Sequence, residues 1–138
     1  MMKREALERC IAQWQQIQIE LYKMEAAAID DELDAVPVFS MLKRKVLRNA
    51  GVSEDNRPMN SCYLCEYVET EHPAPATESL ACEYCPLNGY AWEQCAMDGP
   101  YFTCVDAYDE GWFGDAADCA QKIIAACDAA LEDLDDEE

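Results

Sequence analysis

Two cysteine knuckles, Cys62-Tyr63-Leu64-Cys65 and Cys82-Glu83-Tyr84-Cys85, stand with 16 residues between them. The arrangement fits the C-x₂-C-x₁₅₋₂₀-C-x₂-C spacing of a zinc site. A two-residue gap lets both thiolates of a knuckle reach one ion, and two knuckles complete a tetrahedral shell of four sulfurs. A closed shell leaves no position for water or substrate, so the spacing predicts a metal-stapled fold before it predicts a catalyst. Cys62, Cys65, Cys82 and Cys85 are the expected ligands of a structural Zn²⁺. Cys95 and Cys104 are alternates, because Cys85-Pro86-Leu87 followed by Cys95 gives a second workable pairing.

Other readings of the cysteines fit less well. Nine is an odd number, whereas a secreted disulfide scaffold normally uses an even one. A reducing cytosol is expected, with some thiols on metal and the rest buried as small hydrophobes. A redox role for the CxxC pairs is disfavoured: no βαβ pattern surrounds them, and acidic neighbours raise a thiol pKa. His72, the one histidine, sits beside Pro73 and reads as an exposed loop residue rather than a ligand.

Charge divides the chain. Residues 1–57 hold 9 Lys+Arg and 10 Asp+Glu, a net of −1. Residues 58–138 hold Lys122 and 19 acids, a net of −18. A field of one sign that strong repels nucleic acid, attracts basic surfaces and works against compactness, which makes a metal staple useful. Zinc ribbons that bind nucleic acid need a basic patch, and the knuckle half has the opposite sign. Acidity for solubility or a high-salt habitat is the competing reading.

The remaining pattern is helical. Leu7, Cys10/Ile11, Trp14, Ile17, Leu21, Met24 and Ala28 recur at spacings of three and four, predicting one long helix over residues 3–34. Gln18 lies off this stripe. The seam packs on the chain's own core or, in the alternative, pairs two chains over residues 7–28. Asp30-Asp31-Glu32 opposes the macrodipole and is expected to end the helix. A second helix is expected from Pro37 or Val38 to Asn49, with Pro37 at its first position and Gly51 just past its end. Its bases, Lys43-Arg44-Lys45 and Arg48, are expected to pair with acids of the knuckle half or to meet a phosphate or an acidic partner.

Residues 53–58 read as a hinge, and 59–114 as irregular, with turn signals at His72-Pro73, Asn88-Gly89, Asp98-Gly99-Pro100 and Gly111-Trp112-Phe113-Gly114. Short strands are expected around Tyr63–Glu69 and Tyr101–Asp106. A last helix is expected over Asp115–Leu134, with Asp115 as N-cap and Ala116, Ala120, Ile123/Ile124, Cys127, Leu131 and Leu134 buried. The acidic tail beyond it is expected to be disordered. The expected fold is mostly α with an irregular zinc-stapled insert, a small α+β arrangement being the variant. It divides into a helical region 1–57 and an acidic zinc region 58–138 within one compact domain.

Catalytic patterns are missing. There is no nucleophile elbow, no Gly-rich phosphate loop, and no H-x-E with P-C-x-x-C as a zinc deaminase requires. Paired carboxylates among 29 acids arise by chance. No run of 18 apolar residues occurs, and Met1-Met2-Lys3-Arg4-Glu5 leads into a charged amphipathic stretch rather than a signal sequence. A non-enzymatic protein of the cytoplasm is expected.

Cys62-Tyr-Leu-Cys65, Cys82-Glu-Tyr-Cys85-Pro86-Leu87, Cys95 and Gly99-Pro100-Tyr101 resemble the CxLC…CxxCPL…C pattern of small zinc-binding cysteine-knuckle proteins of bacteriophages and prophages. The resemblance covers residues 60–127. It implies a phage-type protein acting in the cytoplasm of a bacterial host, of an anti-defence, anti-CRISPR-like kind. Joined to the charge argument, it leads to an expected role: inhibition of a CRISPR effector or restriction complex by occupying its basic nucleic-acid channel. The expected contacts are Glu66, Glu69, Glu71, Glu78, Glu83, Asp98, Asp106, Asp109 and Glu110. Exposed members of Tyr84, Tyr90, Trp92 and Trp112 would serve as aromatic anchors. The alternative is a dimeric zinc-containing adaptor that binds a protein through its N-terminal helix.

Overall fold

Four α-helices carry the regular structure of this computed structural model, which describes residues 2–29, 36–53, 63–64, 67, 86–87 and 100–137. They are α1 (Lys3–Ile29), α2 (Phe39–Asn49), α3 (Pro100–Asp109) and α4 (Phe113–Glu137). Among the described residues there is no strand, so the mostly α class holds. The knuckle cysteines Cys62, Cys65, Cys82 and Cys85, the alternate Cys95, His72 and residues 30–35 and 54–60 lie outside the described residues.

The apolar stripe of α1 faces α4 as its spacing demands: Leu7, Cys10, Trp14, Ile17 and Leu21 are all buried. The two helices run antiparallel. Glu25 lies against Gly114, while Gln18, further back along α1, reaches Ala117 and Gln121, further forward along α4. Ala28, the expected end of the stripe, is exposed instead. One turn past Glu25, α1 has passed the start of α4, and Ala28 lines an open groove against the α3–α4 turn instead of the core. Gln18 is likewise not off the packed face. Its Nε2 donates to the Ala117 carbonyl at 3.2 Å and to Gln121 Oε1 at 3.1 Å.

Helix α4 is covered on two sides, by α1 and by α3. Ala116, Ala117, Cys119, Ala120, Ile123, Ile124, Ala126, Cys127 and Ala130 are buried, and Leu131 is partly so. Small residues at 116, 117 and 120 let both neighbours approach. The helix begins at Phe113, two residues before the expected start. Ala116 N–H donates to the Trp112 carbonyl, so Trp112 occupies the N-cap and Asp115 falls in the first turn. Its backbone remains helical through Glu137, where a disordered tail was expected.

The largest departure is α3. Tyr101–Asp106, expected as a short strand, contains aromatic and β-branched residues that suit one, yet it is helical. Local punctuation overrides that propensity. Pro100 fits the first helical position, and Gly111 adopts φ +83° just past the end. Gly111 N–H donates to the Tyr108 carbonyl and Trp112 N–H to the Ala107 carbonyl, the paired closure of a Schellman motif. Cys104, Ala107 and Tyr108 then fall on one buried face. Tyr63, Leu64 and Tyr67 are also helical rather than extended.

Helix α2 ends in the same motif, with Gly51 at φ +88° and donors from Gly51 and Val52 to Arg48 and Leu47. It starts later than expected. Val38 is the N-cap, and Pro37 stands one residue outside. The Pro37 carbonyl accepts the Tyr108 hydroxyl at 2.5 Å instead of a helical N–H.

Aromatic rings join the four helices. Trp14 meets Phe39 at 6.0 Å and Tyr101 at 5.9 Å, Phe39 meets Tyr108 at 5.2 Å, and Tyr108 meets Phe113 at 5.6 Å. Most are edge-on contacts, the arrangement the ring quadrupole favours. Lys43 closes one side: its ammonium lies 5.1 Å from the Tyr101 ring centroid and 2.9 Å from the Tyr101 hydroxyl. The basic cluster is therefore split. Lys43 is buried, and Lys45 pairs with Glu20 on α1 at 3.4 Å, an acid of the N-terminal half rather than of the knuckle half.

Leu64 and Leu87, at 2% and 1% exposure, belong to the same core as the helices. They are the leucines of the CxLC and CPL patterns. Each therefore ties a knuckle sequence into the helical core.

Candidate partner-binding surface

The turn between α3 and α4 presents Trp112. Its N–H is taken by Ala107 and its carbonyl by Ala116, at 2.8 and 2.9 Å. One residue thus closes the first helix and opens the second. Although both its backbone groups are fixed, the side chain is 58% exposed. A large ring held on a fixed backbone loses little freedom on binding.

Carboxylates surround it. Asp106, Asp109 and Glu110 are exposed at the C-terminal end of α3, and Asp115 is exposed in the first turn of α4. Among the described residues none of these four has an ion-pair partner. Acids at a helix C-terminus oppose the macrodipole, at a cost of about 0.3–1 kcal/mol each, and the last turn of α3 contains no base. Asp115, at the start of α4, is favourably placed by the same rule.

Two grooves flank the indole. One, of about 380 Å³, lies between the end of α1 and the α3–α4 turn and is lined by Glu25, Ala28, Ile29, Trp112, Gly114 and Asp115, among others. The other, of about 320 Å³, is lined by Thr103, Asp106, Ala107, Trp112, Asp115 and Cys119. Trp112 and Asp115 are common to both.

Of the expected contact residues, the structure thus brings together Asp106, Asp109, Glu110 and Trp112. Glu66, Glu69, Glu71, Glu78, Glu83, Asp98, Tyr84, Tyr90 and Trp92 lie outside the described residues. Sequence reasoning missed Asp115, which it assigned to a cap, and Glu25 and Ile29, which belong to the other half of the chain. Only the antiparallel packing of α1 on α4 carries these two to the α3–α4 turn.

Cys104, the alternate metal ligand, is a core thiol. Its Sγ donates to the Ala116 carbonyl at 3.3 Å. Burial, with Cys119 adding to it, pushes its pKa up to about 12. In these surroundings the thiol stays protonated and packs as a small core side chain. Cys10, Cys119 and Cys127 are buried as well, packed in the core as small hydrophobes. Among the described residues no group of three or more His, Cys, Asp or Glu is close enough to hold an ion. Also among the described residues, no helix is long and apolar enough to cross a membrane.

No family model, curated protein or solved structure matches the chain.

Proposed function

We propose that this protein is a non-enzymatic, zinc-stapled binding protein that occupies the basic nucleic-acid surface of another protein. A CRISPR effector or restriction complex of a bacterial host is the target class, and that part of the reading rests on the phage-type cysteine pattern. Cys62, Cys65, Cys82 and Cys85 would hold the ion as a structural staple, and the cytoplasm is the setting for reduced thiols. One observation carries the binding role. Asp106, Asp109 and Glu110 crowd the wrong end of α3, unpaired among the described residues, beside an exposed and backbone-locked Trp112. A local rule broken without compensation is expected where function, not folding, sets the sequence.

The adaptor alternative needed the α1 seam free for a second chain. Leu7, Cys10, Trp14, Ile17 and Leu21 are consumed by the chain's own core, so no observation favours it.

The test is capture of host proteins on the immobilised protein, washed at low and high salt, followed by competition with nucleic acid for the captured partner. The partner should be lost as salt rises, because exposed charge pairs are screened within about 8–10 Å at physiological salt. It should also lose its nucleic acid in proportion to the protein added. A ternary complex with nucleic acid bound at full affinity would rule out occupation of the basic surface. Metal analysis of protein purified without chelator should give one zinc per chain, and its absence would remove the staple.

A further inference from the structure

The two grooves beside Trp112 are not merely acidic. Each is lined by Trp112 and a pair of carboxylates, Glu25 with Asp115 on one side and Asp106 with Asp115 on the other. The first adds an apolar wall in Ile29, which is 77% exposed. The second has Cys119 in its lining, 6% exposed and without a hydrogen-bond partner among the described residues.

Lysine and arginine answer such a site differently. An ammonium is a strongly hydrated point charge that is served equally well by any exposed carboxylate. A guanidinium is planar and weakly hydrated, stacks on an indole, and still directs its N–H groups sideways to carboxylates in the plane of the stack. An aliphatic stem also gains from lying along a wall such as Ile29. Flat stacking surface, flanking carboxylates and an apolar wall together are the complement of arginine. The rigid backbone at Trp112 means that the surface is formed before the partner arrives.

We infer that Trp112 is an arginine-reading anchor, whose grooves receive arginine side chains of a basic protein partner in preference to lysine. The inference rests on the binding role proposed above and names the side chain that role selects.

The test uses two fluorescent probes, an octa-arginine and an octa-lysine peptide, titrated by anisotropy into the full chain at low salt. The arginine probe should bind at least about fivefold more tightly. Trp112→Ala should bring that ratio close to one while changing the lysine probe less than about twofold. Trp112→Leu, which keeps an apolar side chain but has no ring face, should do the same, and circular dichroism checks that both variants are folded. Asp109→Asn with Glu110→Gln should weaken both probes alike. If both probes bind the wild-type protein equally, or the arginine preference survives in Trp112→Ala and Trp112→Leu, the inference is overturned and the acidic-surface role stands. If neither probe binds at low salt, that role falls too.

Discussion

The carboxylate of Glu25 fills the space that a side chain at Gly114 would need: a Cβ built there would stand 2.7 Å from Glu25 Oε1. Gly114 is the second residue of α4, so an acid from the far end of α1 rests beside the positive end of the α4 macrodipole. It brings to that terminus the negative charge that Trp112, the N-cap, does not carry.

This relationship predicts non-additivity. Gly114→Ala gains about 1 kcal/mol of helix propensity but displaces a carboxylate worth about 0.3–1 kcal/mol, so alone it should stabilise by no more than about 0.7 kcal/mol. In a Glu25→Ala background the same change should stabilise by about 1 kcal/mol. Urea unfolding of the four proteins measures the difference. Effects that add within about 0.3 kcal/mol would show that the two residues do not interact.

Trp14 links α1 to Phe39 of α2 and Tyr101 of α3, so Trp14→Ala should cost about 3–5 kcal/mol. Gln15→Ala, on the exposed face, should cost no more than about 0.5 kcal/mol. Gln18→Ala should fall between them at about 1 kcal/mol, because it breaks the bridge to Ala117 and Gln121. Gln18 behaving like Gln15 in thermal unfolding would mean that the bridge is not made in solution.

Charge reversal at the end of α3 should separate stability from binding. Replacing Asp109 and Glu110 by Lys turns an opposed macrodipole into a complemented one, and should stabilise the fold by about 0.5–2 kcal/mol. The same double variant should lose the salt-sensitive partner. A variant that is both less stable and still fully competent to bind would contradict the account of this surface.

Alkaline pH should weaken the fold. Burial, and then the Asp109 charge, pushes the Tyr108 pKa from an ordinary 10 to about 12, while Cys104 rises from about 9 to about 12. Both groups keep their protons longer in the folded chain than in the unfolded one. Their contribution is whole below pH 9 for Cys104 and below pH 10 for Tyr108, and it is lost as pH climbs toward 12. Urea midpoints between pH 8 and 11 should fall, and Tyr108→Phe should flatten the part of that fall above pH 10. An unchanged slope in Tyr108→Phe would assign the loss to other groups.

How much was legible beforehand depended on the kind of signal. The buried faces of α1 and α4 follow from residue spacing, because a period near 3.6 is a property of one segment alone. The end of α2 was equally local, set by Gly51. Helix α3 was missed because Tyr101, Thr103 and Val105 carry strand propensity, while the information that decides the matter sits at Pro100 and Gly111, on either side. Ala28 and Gln18 were misplaced for a different reason. Whether a residue of α1 is covered depends on where α4 starts, and no period within α1 encodes that. The contact surface was half legible. Asp106, Asp109, Glu110 and Trp112 are neighbours in the chain, but Glu25 and Ile29 reach them only through tertiary packing.

Leu64 and Leu87 have a consequence for the thiols beside them. Cys65 is adjacent to Leu64, Cys62 is two residues away, and Cys85 is two residues before Leu87. A chain spans at most about 3.6 Å per residue, so burial of Leu64 and Leu87 limits how far a thiol one or two residues away can stand from that core. An ion binding there would meet its second knuckle at a high effective concentration rather than recruiting it from a loose chain. Were the proposed ion bound, affinity for it and integrity of the helical core would be linked. A substitution such as Leu87→Ala, made at no ligand, would loosen the grip on the ion, and the helices would in turn stand firmer for holding it.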